Sequence, residues 1–123
     1  KYTRAIHPAS KISESVEIGE GTVVMAGATI NADAKIGRHC IINTNSSVDH
    51  ECVIGDYVHI SPNVALCGNV QGGEGTHIGV GASVIPGIKI GKWCTIGAGS
   101  VVINDIPDNT NAVGNPCKRI LNN

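Results

Sequence analysis

A six-residue repeat governs the stretch Ile78-Gly-Val-Gly-Ala-Ser-Val84-Ile-Pro-Gly-Ile-Lys-Ile90-Gly-Lys-Trp-Cys-Thr-Ile96, where every sixth residue is aliphatic. The same period runs from Ile6 to Val102 without an insertion, and sixteen of its seventeen positions are aliphatic. From Ser10 onward, the residue two positions before each of these is small or β-branched. A register held over so much of the chain indicates a single repeated structural unit.

We number each hexad from its aliphatic residue, which takes the first place. Residues two apart in a strand point to the same side, so the fifth and first places face inward and a strand runs from the fifth place to the second. The third and fourth places form a corner, and the fourth is Gly, Asn or Asp in eleven hexads. These residues tolerate a left-handed backbone. The sequence therefore predicts an all-β fold, a triangular parallel β-solenoid of between five and six coils.

The composition agrees with a narrow aliphatic core. The 123 residues include 16 Gly but only three aromatic residues, and 41% hydrophobic against 15% charged residues argues against disorder. A net charge of −1 gives no reason to expect a nucleic-acid or anionic-membrane partner. Five cysteines without CxxC spacing indicate reduced thiols, and neither a membrane-spanning run nor a signal peptide is evident. We expect a cytoplasmic protein.

Three stretches depart from the plain repeat. They read Asn43-Thr-Asn-Ser-Ser-Val-Asp-His-Glu-Cys-Val-Ile-Gly55, His77-Ile-Gly-Val-Gly-Ala-Ser-Val-Ile-Pro-Gly87 and Val113-Gly-Asn-Pro-Cys-Lys-Arg119. Together they resemble the C-terminal left-handed β-helix domain of the sialic-acid O-acetyltransferase and nucleotide-aminosugar N-acetyltransferase family. The left hand follows from this resemblance alone. It implies a β-helix acyltransferase domain over residues 1–107 and a tail over 108–123 that contributes to CoA binding; the family's N-terminal nucleotide-sugar-binding domain is absent from this chain.

The resemblance also implies an activity: acetyl transfer from acetyl-CoA to the amine of a nucleotide-linked amino-sugar by direct attack. His50 would be the general base, and Glu51 would orient its imidazole and raise its basicity. Asp49 could replace Glu51 in that role, and the residues themselves do not decide between the two. The sugar acceptor would meet Asn43. The residues expected to bind acetyl-CoA are His59, Gly68, Val80, Ala98, Lys118 and Arg119. Gly68 N–H is the candidate oxyanion donor, and no metal is expected.

The period adds an inference about assembly. His50 takes a third place on one corner, whereas His59 takes a sixth place on the side of the prism opposite that corner, with Asn43 on the same side as His59. Gly68 lies eighteen residues after His50, one coil above it. The two halves of the site can therefore meet only between subunits, which predicts a homotrimer with three sites, as the resemblance also implies.

Other hypotheses remain. O-acetylation of a sialic acid or related sugar hydroxyl is the nearest alternative, and a non-catalytic β-helix assembly module is another. A zinc site would use His59 and His77, which stack on one face, although His77 is better interpreted as a surface or interface residue. Cys67 beside Gly68 suggests an acyl-cysteine, which we regard as less favoured than an incidental thiol. An ice-binding surface would require stacked outward threonines, and the chain does not supply them.

Overall fold

The computed structural model describes residues 3–120, and within them the chain forms short strands and no helix. The strands are β1 (Ala5–Ile6), β2 (Lys11–Ile12), β3 (Glu17–Ile18), β4 (Val23–Val24), β5 (Thr29–Ile30), β6 (Lys35–Ile36), β7 (Ile41–Ile42), β8 (Ser47–Val48), β9 (Val53–Ile54), β10 (His59–Ile60), β11 (Ala65–Leu66), β12 (Gln71–Gly72), β13 (His77–Ile78), β14 (Ser83–Val84), β15 (Lys89–Ile90), β16 (Thr95–Ile96), β17 (Val101–Val102), β18 (Asn111–Val113) and β19 (Lys118–Arg119). No helix of the described residues is long and apolar enough to cross a membrane.

Every third strand belongs to the same sheet, so the chain winds around three sides. Sheet A has the order β1-β4-β7-β10-β13-β16-β18-β19, sheet B the order β17-β14-β11-β8-β5-β2, and sheet C the order β15-β12-β9-β6-β3. Partner residues in neighbouring coils are eighteen apart, as His59 and His77 are. The predicted triangular parallel β-solenoid is confirmed.

The paired strands are two residues long, shorter than the predicted four. The hydrogen bonds explain the difference, because they lie at the two ends of each pair. The sixth-place N–H donates to a fifth-place carbonyl one coil above, as from His59 to Thr76 at 3.0 Å, and the second-place N–H donates to a first-place carbonyl, as from Ser61 to Ile78 at 3.0 Å. The four-residue segment is therefore the hydrogen-bonded unit.

The first and fifth places fill the core, and from Thr22 to Val102 all of them are buried. Hydroxyl and thiol groups at the fifth place donate to carbonyls nearby, as Thr22 Oγ1 does to Gly37 at 2.7 Å and Cys94 Sγ to Pro107 at 3.1 Å. Among the described residues, no buried side-chain nitrogen or oxygen lacks a hydrogen-bond partner. The core is therefore aliphatic and free of unpaired polar side-chain atoms.

Every fourth-place residue from Gly21 to Gly99 has a positive φ. From His39 onward, its N–H donates to a third-place carbonyl one coil below, as Asn69 N–H does to His50 O at 3.0 Å. The left-handed conformation predicted for the corners is confirmed, and it extends to Glu51 at φ 60°.

The period changes after β17. Counting by six gives Ile106 a fifth place, but it forms a parallel bridge with the first-place residue Ile90, sixteen residues earlier. Asn111 likewise pairs with Thr95 at a spacing of sixteen. β18 continues sheet A, and β19 returns antiparallel to it. The predicted boundary between residues 107 and 108 stays a prediction, and residues 1–2 and 121–123 of the two predicted segments lie outside the described part.

Candidate functional site

His50 lies on the corner between β8 and β9, which we call the His50 corner. Its Nδ1 lies 3.4 Å from Glu51 Oε1, and the side chains are 51% and 59% exposed. Its Nε2 lies against Gly68 in the next coil, where any Cβ would collide with the imidazole. The ring is therefore confined between a carboxylate and a glycine backbone, yet it stays open to solvent.

The conformation of Glu51 brings its carboxylate beside the ring. At φ 60° the backbone is left-handed, which costs an ordinary L-residue about 1 kcal/mol or more. Glutamate has no short polar side chain to ease that strain, in contrast to Asn and Asp. The repeat imposes this conformation at every corner from Gly21 to Gly99, and at this corner it coincides with the contact between Glu51 and His50.

Asp49 has a different role from the one weighed in the sequence. Its Oδ1 accepts hydrogen bonds from His50 N–H at 2.7 Å and from Asn31 Nδ2 at 2.9 Å. The Asn31 bond, followed by the His50 bond, lowers the pKa of Asp49. Of the two carboxylates, Glu51 faces the imidazole Nδ1, whereas Asp49 accepts the backbone N–H of His50. Sequence reasoning missed Asn31, although its spacing of eighteen residues from Asp49 was a usable signal.

A second polar group lies on sheet A. Asn43 Nδ2 is 3.4 Å from His59 Nε2, and the imidazole of His77 stacks on that of His59 with centroids 4.5 Å apart. Ser61 Oγ lies 3.0 Å from His77 Nε2. Burial, and then the neighbouring His77, lower the pKa of His59. The stacking predicted from the spacing is confirmed, but the sequence did not reveal Ser61.

Val80 and Ala98 lie on the corner between β13 and β14 and the equivalent corner one coil above, which we call the Val80 corner. Both are exposed, and Gly99 N–H donates to Val80 O at 2.8 Å. In residues 3–120 the backbone N–H groups of Gly68, Val80 and Ala98 donate no hydrogen bond. Val80 and Ala98 are exposed, so their N–H groups are available to a ligand that carries carbonyl or phosphate oxygens, whereas Gly68 is buried against the His50 ring.

The tail reaches the same end of the solenoid as Ala98. Val113 lies so close to Gly97 that a Cβ there would collide with it, and β18 pairs with β19 through Val113 and Lys118. Lys118 and Arg119 are both exposed. Two cationic side chains therefore lie on the last strand of sheet A, at the upper end of the Val80 corner.

Within one chain, the structure brings His50, Glu51 and Gly68 together, and separately Asn43 and His59. The two groups lie on opposite sides of the prism, since sheet A faces away from the corner between sheets B and C. Among residues 3–120, no three His, Cys, Asp or Glu side chains are grouped as a metal site requires.

All five cysteines are free thiols. Burial raises the pKa of Cys40, Cys52 and Cys117. Cys67 is half-buried, and its carbonyl accepts the Cys52 thiol at 3.1 Å. The buried thiols at Cys40 and Cys52 act as small core residues.

Comparison with known proteins agrees with this geometry. The family described as bacterial transferase hexapeptide (six repeats) matches residues 33–68 and 73–104. No curated protein sequence matches the chain.

Solved structures are similar over almost the whole chain. PerB from Caulobacter crescentus, in complex with CoA and GDP-perosamine, is 50% identical with a TM-score of 0.96, covering 97% of this chain and 57% of its own. The acetyltransferase domain of PglB from Neisseria gonorrhoeae is 42% identical with a TM-score of 0.97, covering 98% and 58%. WeeI from Acinetobacter baumannii is 33% identical with a TM-score of 0.86, covering 92% and 56%.

The chain thus spans less than two thirds of the length of these relatives. Their similarity confirms the resemblance to nucleotide-aminosugar N-acetyltransferases, and the hexapeptide repeats identify the solenoid as a left-handed β-helix. Because the family match covers more than half of its residues, the chain belongs to the bacterial transferase hexapeptide family.

Proposed function

We propose that this chain is the acyl-transferring domain of an acetyl-CoA-dependent N-acetyltransferase acting on a nucleotide-linked amino-sugar. The observation that carries the proposal is the convergence of His50, Glu51 and Gly68 on one corner. The similar PerB and PglB structures support the substrates, since one contains CoA and GDP-perosamine and another acetyl coenzyme A.

The chemistry assigned to His50 is proton transfer through Nε2. The acceptor amine attacks the thioester carbonyl, a C–N bond forms, and the amine proton passes to His50 while the carbonyl oxygen becomes an oxyanion. Gly68 N–H donates to that oxygen. The C–S bond then breaks, and the imidazolium returns its proton to the leaving thiolate. Glu51 holds the ring through Nδ1 and stabilises its charged form.

The donor half is assigned to sheet A and the Val80 corner. His59 contacts acetyl-CoA, the exposed N–H groups of Val80 and Ala98 meet the carbonyl-bearing arm, and Lys118 and Arg119 pair with its phosphates. Asn43 contacts the acceptor. Because the two halves lie on opposite sides of one prism, we propose a homotrimer in which adjacent subunits supply one half each. We also propose that the protein is cytoplasmic, on the basis of its cysteine usage.

The test measures acetyl-CoA turnover against nucleotide-linked amino-sugars and free sialic acids, using the chain and its His50→Ala variant. We expect amine acceptors to be used and the variant to lose roughly 10²- to 10⁴-fold in rate. His7→Ala is a matched control, since within residues 3–120 the ring of this exposed histidine bonds only to Ala9 N–H in its own turn. A folded His50→Ala protein with the full rate would overturn the role of His50, and turnover of sialic acids alone would favour O-acetylation.

A further inference from the structure

The stacked histidines form a polar ladder on sheet A that the transfer chemistry leaves unexplained. The rings of His59 and His77 are 4.5 Å apart and inclined by 28°. Each Nε2 faces a second-place side chain of the coil below, Asn43 Nδ2 at 3.4 Å in one case and Ser61 Oγ at 3.0 Å in the other. The same contact is thus repeated one coil apart.

Within one subunit, the residues that pair with His59 across sheet A carry no charge apart from what the histidines acquire. On sheet A, His59 pairs with Ile41 in the coil below and with His77 in the coil above, and its Nε2 faces Asn43. Asp56, three residues earlier in the chain, is engaged with Arg38 Nη2 at 3.3 Å on the adjoining corner. His77 is therefore the titratable group that faces His59. His59 is half-buried and His77 exposed, and two imidazoles in contact cannot both hold a positive charge without repulsion.

We propose that His77 is a positioning residue that keeps the stacked His59 neutral, so that His59 Nε2 accepts the Asn43 amide N–H and the ring is fixed for acetyl-CoA. If His59 were protonated to an imidazolium, Nε2 would also carry a proton. Two N–H donors would then face each other, and the contact with Asn43 would break. With Nε2 unprotonated, the proton lies on Nδ1, which can donate to a carbonyl of the donor. The ligand's identity rests on the proposed function; the ladder itself does not.

The direction of the pH effect follows from the contacts. Burial first, and His77 second, place the pKa of His59 below the ordinary histidine value. His59 thus takes up its proton at a lower pH than an ordinary histidine does. Without His77, protonation begins at higher pH and disturbs acetyl-CoA binding there.

The first measurement is an NMR titration of the imidazoles, which requires no ligand. His77→Gln is expected to raise the pKa of His59, and His77→Lys, which places a permanent charge beside it, to lower that pKa further. Lysine is tolerated at this place, since Lys11, Lys35 and Lys89 occupy it on the other two sheets. His7→Gln, also on sheet A, is the control and should leave His59 unchanged.

The second measurement is calorimetric binding of acetyl-CoA at pH 6 and pH 8. His77→Gln should weaken binding roughly 2- to 10-fold at pH 6, the worth of one hydrogen bond, and much less at pH 8. An unchanged His59 pKa in both variants would overturn the inference even if turnover is normal. A shifted pKa with unaltered acetyl-CoA affinity would overturn the positioning role. Normal titration and binding without turnover of any acceptor would instead refute the proposed function.

Discussion

Left-handed backbone is required at the corners of this chain, but four of them carry side chains that do not adopt it readily. Gly, Asn or Asp occupies the other corners of positive φ. The four exceptions are His39, Glu51, Tyr57 and Trp93. Three of them are rings on a single corner, where His39 and Tyr57 stack. The fourth, Glu51, faces His50.

Replacing Glu51 by Asn should therefore separate stability from activity. We expect the free energy of unfolding to rise by about 1 kcal/mol as strain is relieved, while the acetylation rate falls because His50 Nδ1 loses its carboxylate. Urea unfolding and turnover measure the two effects.

The reverse substitution places glutamate at a corner that lacks it. Asp33→Glu does this on the same corner one coil below, where φ is 63°. It should lower stability by a similar amount and leave the rate unchanged. A Glu51→Asn protein that is less stable than the parent would contradict the strain argument.

At the scale of the strand, Gly72 in β12 and Gly73 beside it differ in whether the structure requires glycine at that position. A Cβ on Gly73 would lie 2.5 Å from the Gly91 carbonyl carbon, so the close approach of successive coils on sheet C requires glycine there. A Cβ on Gly72 would meet only Ile54 Cδ1 at 3.4 Å, an ordinary contact. Gly72 is the one first-place residue without an aliphatic side chain, and the core has room for a methyl group.

The substitutions Gly72→Ala and Gly73→Ala should consequently have opposite signs. We expect Gly72→Ala to stabilise the fold by about 0.5–1 kcal/mol, because alanine loses less backbone entropy in a strand. Gly73→Ala should destabilise it by about 1–3 kcal/mol through overpacking. Chemical denaturation of the two variants is the test. Destabilisation of equal size by both would show that Gly72 also supports a close backbone contact.

At the scale of the whole molecule, the site is divided between opposite sides of the prism. His50 and Gly68 belong to one corner, and Asn43 and His59 belong to sheet A. The proposed cyclic trimer would join these halves three times, because each subunit would present both surfaces to different neighbours.

Mixing two inactive variants tests this arrangement. If His50→Ala and His59→Ala chains are refolded together in equal amounts, roughly one quarter of the sites in random trimers should receive both intact halves. Acetylation should reappear in the mixture, although each variant alone lacks it. A mixture that stays inactive while forming trimers would place both halves in one subunit.

The period made the fold predictable, because a six-residue repeat leaves few ways to bury its aliphatic residues. The period failed after Val102, where the coil is two residues shorter than the others. In this shortened coil the Asp105 and Asp108 carboxylates accept the backbone N–H groups of Lys89 and Lys92. Assigning the roles of Asp49 and Glu51 also required coordinates. They flank His50 on either side, and the φ of Glu51 decides which carboxylate reaches the ring.

The returning strand β19 has a consequence for the length of the stack. Parallel coils end in an open row of N–H and C=O groups, which is a template for joining another chain. On sheet A, β19 covers that row by pairing antiparallel to β18, and Cys117 N–H bonds to Val101 O at 2.8 Å at the end of sheet B. The tail therefore ends the winding and replaces the parallel edge of sheet A, onto which a further coil would stack, with a short antiparallel strand.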